Sequence, residues 1–118
     1  MRKIGFLVAG VAALGLALAQ SNVIKIAAMS PLSGPQAALG EQIKLGAELA
    51  VEEAKERFKA LGFELVLVPY DDQANPDVGV ANANRMINDP DILGLVGTLN
   101  SGVAITASEV LARVNLVM

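Results

Sequence analysis

Residues 91–108 read DILGLVGTLNSGVAITAS. An apolar run, Ile92 to Gly97, empties into Thr98, Leu99, Asn100, Ser101 and Gly102 before the chain turns apolar again. A buried strand, a polar corner and then a helix produce that order. A helix start leaves its first N–H groups unpaired and carries partial positive charge, so such a corner suits an anion. Ser101 adds a hydroxyl, and Gly102 lets a ligand approach the backbone closely. The same residues also suit a plain helix start in which Ser101 caps its own helix. Chemistry alone leaves both readings open.

Working outward, two patterns alternate along the chain. Val23 to Met29, Phe63 to Val68 and Ile92 to Gly97 are short apolar runs bounded by turn residues, and Leu116 to Met118 reads as the opening of a fourth. Near-continuous apolar strands suit a parallel sheet covered on both faces. Between the first two, Ile43, Ala47, Ala50, Ala54, Phe58 and Leu61 recur at helical spacing as a core-facing stripe. Lys44, Glu48, Glu52, Lys55 and Lys59 form the opposite face, Gly62 is placed to end the helix, and Gly46 is read as a close approach to the sheet. A second helix opens at Asn75-Pro76-Asp77 as N-cap, first-turn proline and acidic residue, and stops before Asn88-Asp89-Pro90. A third runs from near Ser101 to about Val114.

The result is a β-α-β-α-β-α-β order, expected to fold as an α/β doubly wound parallel sheet of flavodoxin-like strand order 2-1-3. In such sheets ligands bind at the carboxyl ends of the strands, where the order reverses, here between the first and third. Two loops meet there: Ser30 to Gln42, reading SPLSGPQAALGEQ, and Thr98 to Gly102. The fourth strand is cut after three residues, so residues 20–118 are read as the N-terminal part of a first α/β lobe, incomplete, in a longer protein.

Met1-Arg2-Lys3, an apolar run and Ala17-Leu18-Ala19 together predict a cleavable signal peptide over residues 1–19. Its apolar run is shorter than the ~20 residues a bilayer span needs. No cysteine follows it to carry a lipid anchor, so the expected location is the periplasm. With 9 basic and 12 acidic residues overall, loss of Arg2 and Lys3 leaves a net charge near −5. That balance argues against nucleic acid and anionic lipid as partners. The chain has no cysteine and no histidine, which removes thiolate chemistry and the commonest metal ligand and general base. No catalytic residue, metal site or cofactor is therefore predicted. Asp71-Asp72 could in principle hold Mg²⁺, but the phospho-acceptor domains of this topology carry their acidic pair after the first strand, so the two are read as turn and capping groups. No G-x-G-x-x-G or P-loop is present.

In order along the chain, IKIAAMSPLSGPQAALGEQIKLGAELAVEEA, YDDQANPDVGVANANRMINDPDILGLVGTLNSGVAITASEV and VNLVM resemble the N-terminal lobe of the branched-chain amino acid-binding proteins. These are the type I periplasmic binding proteins that serve ABC importers. The resemblance implies two α/β lobes closing on a small amino acid, delivery to an inner-membrane permease, a monomer when full length, and no enzymatic activity. It also implies that Ser101 and the neighbouring amides anchor the ligand's α-carboxylate, that Leu99 and Asn100 border its side chain, and that Leu39 stands where relatives often carry an aromatic wall. A disulfide found in some members would fall at Ala74 and Asn100, where neither residue is a cysteine. The alternative within the same fold is a sensing domain for amides or amino acids that drives no transport.

Overall fold

The computed structural model describes residues 22–118, so the signal-peptide reading lies outside the described residues. The elements are β1 (Val23–Ser30), α1 (Ala37–Ala60), β2 (Glu64–Asp71), α2 (Pro76–Ile87), β3 (Ile92–Val96) and α3 (Ser101–Leu111), ending in a 3-10 turn over Ala112–Val114. The strands form one parallel sheet in the order β2-β1-β3, as the alternation of patterns requires. Val117 makes a parallel bridge with Gly94, and its carbonyl accepts from the Leu95 N–H at 2.9 Å, so the last residues do begin a strand outside β3.

Alternation along β1 divides the layers. Ala27 and Met29 join the core formed with Ala83 and Met86 of α2, Ile92 and Leu95 of β3, and Val103, Ala107, Val110 and Leu111 of α3. The next residue along, Ser30, turns toward α1, where its hydroxyl donates to the Gly40 carbonyl at 2.9 Å. Met29, Met86, Val103 and Leu111 are fully buried, and each such side chain is worth about 1.5–3 kcal/mol in apolar burial.

Helix ends follow the sequence chemistry. In α1 the Gly62 N–H donates to the Lys59 carbonyl and the Phe63 N–H to the Phe58 carbonyl, with Gly62 at φ 86°. This is the paired C-terminal closure that a left-handed glycine permits. At the start of α2, the Asn75 side chain accepts from the Asp77 N–H at 2.8 Å, with Pro76 following. Asn75→Ala should lower stability by about 1 kcal/mol, read as a shift in the urea midpoint without a change in slope.

The stripe of α1 differs from the expected one. Its buried residues are Gly40, Ala47 and Val51, while Ala50 is exposed and Leu61 is 72% exposed. Lys44, assigned to the outer face, is part-buried, and its ammonium pairs with Glu41 at 2.7 Å. Gly46 lies on the exposed side, where an added Cβ would meet nothing within 4 Å, and so marks no approach to the sheet. The helix is rotated so that the row through 40, 47, 51, 54 and 58 meets the strands.

An ion-pair cluster fixes the amino end of the sheet. The Lys25 ammonium lies 2.8 Å from Asp89 and 3.4 Å from Asp91, while the Lys25 N–H donates to the Asp91 carbonyl at 2.8 Å. This holds the β3 entry against β1 just before the register shifts between Lys25 and Ile26. The hydrogen bond from Lys25 holds the Asp89 carboxyl below its usual range, and the reciprocal bond raises the lysine. A lowered carboxyl stabilises above its ordinary range, and that contribution is lost as pH falls through the folded value. Lys25→Met should therefore lower the melting temperature at neutral pH, with the deficit shrinking in acid.

Candidate functional site

The register pairs Ala28 with Val96, so the loops after β1 and β3 leave adjacent strands at the same edge. The β3 end comes close enough to β1 that a Cβ on Gly97 would sit 1.9 Å from the Met29 carbonyl oxygen. Gly97 also has φ 130°, a conformation L side chains rarely adopt. No other residue type fits. This glycine, which sequence reading took only as the strand's last residue, sets where the corner begins.

Ser101 is the first residue of α3 and is exposed. The cap is Asn100, extended at φ −94° and ψ 125°, with no side-chain capping bond, so Ser101 does not cap its own helix. The Asn100 carbonyl accepts from Val103 and Ala104, both at 3.0 Å, and from the Thr98 hydroxyl at 3.0 Å. Among the described residues no acceptor meets the N–H groups of Ser101 and Gly102, and the Ser101 hydroxyl has no partner. Three donors thus lie in the first turn at the positive end of a helix without an acceptor among the described residues.

Around them, Leu99 is 36% exposed and Leu39, in the first turn of α1, is 52% exposed, both apolar surfaces at the same edge. Asn100 has a buried side-chain oxygen without a partner. Gly102 faces Pro76, where an added Cβ would meet the ring at an ordinary 3.7 Å. Ser101, Asn100, Leu99 and Gly102 are brought together by the corner, and Leu39 stands on the neighbouring loop-helix segment.

Asp71 and Asp72 act as turn groups. Asp71 accepts from the Leu32 N–H at 2.8 Å and the Gln73 N–H at 2.9 Å, tying the β1 and β2 loops together. Burial works against its charge, but the hydrogen bonds from Ser33, Gln73 and Leu32 outweigh it and hold the carboxyl below its usual range. Among the described residues no cluster of three acidic, histidine or cysteine side chains is placed to hold a metal ion. A wide groove along α1 and the outer edge of β2, lined by Leu45, Leu49, Phe63 and Leu65, shares no residue with the carboxyl-edge loops.

Comparison with known proteins decides the family: residues 23–118 match the model for periplasmic binding proteins. The chain belongs to the periplasmic binding protein family. The Leu/Ile/Val-binding protein BraC3 of Rhizobium johnstonii is 43% identical over 108 residues, 92% of this chain and 29% of that protein. A Leu/Ile/Val-binding protein homolog of Brucella melitensis is 40% identical over 111 residues, 94% of this chain and 30% of that protein. Among solved structures, a possible leucine/isoleucine/valine-binding protein of Rhodopirellula baltica superposes with a TM-score of 0.69 at 30% identity, over 77% of this chain and 25% of that one. A solute-binding protein of R. palustris in complex with benzoate gives 0.64 at 26%, over 80% and 26%. This member of the periplasmic binding proteins spans under a third of the curated relatives it matches. The strand order and carboxyl-edge loops are those of a type I lobe, of which the chain is a part. Among the described residues no helix is long and apolar enough to cross a membrane.

Proposed function

We propose that this chain forms part of the first lobe of a solute-binding protein that captures a branched-chain or similar small amino acid in the periplasm and hands it to an ABC permease. The observation that carries the reading is the corner at Ser101: a hydroxyl and two backbone N–H groups without acceptors, at a helix N-terminus on the carboxyl edge of the sheet. An α-carboxylate satisfies all three at once, and each charge-assisted bond of this kind is worth about 1.5–3 kcal/mol. Leu99 and Leu39 supply an apolar border for an aliphatic side chain, with Asn100 beside it and Gly102 leaving the backbone open.

The mechanism is closure. The carboxylate binds the first lobe, its other end engages a second lobe supplied by the longer protein, and the closed form is the one the permease receives. Burial of both charged ends requires partners for both, since an unpaired buried charge is costly. The protein acts by binding and carries out no turnover; as a full-length molecule it is a monomer, exported by the signal segment at residues 1–19.

A second ligand class has one observation in its favour. The R. palustris relative holds benzoate, which shares with an amino acid only the carboxylate, and Leu39 leaves the side-chain wall open to either. Calorimetric titration of the full-length protein with leucine, isoleucine, valine and benzoate separates them. Binding of the aliphatic amino acids in preference to benzoate supports the reading, and the reverse order assigns the aromatic acid.

A further inference from the structure

We propose that Asp72 is a positioning residue for the carboxylate corner, and that its own negative charge opposes the ligand's, coupling ligand affinity to protonation of this one buried carboxyl. The inference rests on the amino acid reading of the corner. It starts from burial: Asp72 is 0% exposed, and one of its two carboxyl oxygens has no hydrogen-bond partner. A buried acceptor left unsatisfied is rare and calls for a reason.

The bonds Asp72 does make explain its place. Its N–H donates to the Ser30 carbonyl at 3.1 Å, at the end of β1. Its carbonyl accepts from the Asn75 N–H at 2.9 Å, and its second carboxyl oxygen from the Ala74 N–H at 2.9 Å. Between these contacts Gln73 and Ala74 both adopt the left-handed region, at φ 54° and 55°, without being glycine. Such residues persist only where surrounding bonds hold them. The strained turn leads directly to Pro76, whose ring packs beside Gly102 and whose carbonyl is 3.5 Å from the Thr106 hydroxyl of α3. Asp72 thus sets the turn, the turn sets Pro76, and Pro76 abuts the helix turn that presents Ser101.

The same placement has an electrostatic consequence. No basic residue lies in the loop 30–36, in residues 72–79 or in residues 97–104, so no nearby cation on these segments offsets the charge. Asp71 is a like charge acting on it from β2, and Asp77 in the first turn of α2 is exposed. Burial first, and Asp71 in addition, push the Asp72 carboxyl above its usual range against the lowering effect of the Ala74 N–H. A raised carboxyl holds its proton more tightly in the folded state. Its ionised form therefore costs stability that is absent in acid and grows as pH rises past the ordinary carboxylate range. In the proposed complex the ligand's carboxylate, at the α3 N-terminus, lies nearer this edge than its ammonium, which engages the second lobe, so binding weakens as Asp72 ionises.

The test is leucine titration of the full-length protein, wild type, Asp72→Asn and Asp72→Ala, from acid to neutral pH, with thermal melts of the same samples. Wild-type affinity should fall about threefold to tenfold toward neutrality, the order expected for partly screened like charges near a protein surface. Asp72→Asn, which keeps an acceptor for Ala74, should bind with a flat profile at the wild type's acid-side affinity. Asp72→Ala, which loses that acceptor, should bind more weakly at every pH. Parallel profiles for wild type and Asp72→Asn overturn the coupling, and equal binding by Asp72→Ala and Asp72→Asn overturns the positioning role. The melts stand apart from the ligand: a gain for Asp72→Asn that grows from acid to neutral supports the buried charge, and a constant difference overturns it. Absence of leucine binding by the wild type at every pH overturns the amino acid reading and the coupling together, whatever the melts show.

Discussion

Gly97→Ala should be among the most damaging single substitutions in the described fold, costing about 2–6 kcal/mol of stability. Two effects act together. The added methyl would lie 1.9 Å from the Met29 carbonyl oxygen, and the residue would have to keep φ 130°, where a side chain is strained. Overpacking of a well-filled interior typically costs 1–3 kcal/mol and backbone strain of this kind another 1–3. The Met29 backbone cannot move away cheaply, because β1 is the central strand and Met29 is fully buried between its neighbours. Chemical denaturation of the full-length protein, wild type against Gly97→Ala, checks this. A loss under 1 kcal/mol would mean that the β3 end relaxes away from β1 and that the corner's position is not fixed by this contact.

Ser101→Ala should weaken leucine binding about tenfold to one hundred and fifty-fold, the equivalent of losing one charge-assisted hydrogen bond worth about 1.5–3 kcal/mol. Its effect on stability should be small. The Ser101 hydroxyl has no partner within the described residues, Asn100 and not Ser101 occupies the cap position, and alanine is a good residue for a first helical turn. Such separation of affinity from stability is what distinguishes a ligand contact from a cap. A variant that loses melting temperature and keeps affinity within twofold would return Ser101 to the role of a helix-start residue.

The architecture was legible because its signals are local. Three apolar runs of parallel-strand character, separated by helical patterns, leave few topologies, and Asn75-Pro76-Asp77 and Gly62 mark helix ends through bonds to residues close in sequence. The corner was legible as chemistry and ambiguous as function. The geometry shows only that Asn100 and not Ser101 is the cap, since a cap and a first helical residue differ by one position in backbone angles. What the sequence hid depends on contacts across the sheet. Gly97 is one glycine among 11, and its reason lies in the carbonyl of Met29, far away along the chain. The buried stripe of α1 was misread at Ala50 and Leu61 because small and apolar residues lie on several sides of this 24-residue helix, and only the strands beneath decide which row is covered. Gly46 invited a packing explanation for the same reason, yet it faces open space. Asp72 is legible as a turn former, while its complete burial with one oxygen unpaired depends on tertiary contacts that the local sequence does not show.

The most direct measurement of the central claim is a crystal structure of the full-length protein with leucine bound. The account predicts the leucine carboxylate within hydrogen-bond distance of the Ser101 hydroxyl and of the N–H groups of Ser101 and Gly102, with the aliphatic chain bordered by Leu99 and Leu39. A leucine carboxylate held elsewhere, with these three donors bound only to water, would contradict it.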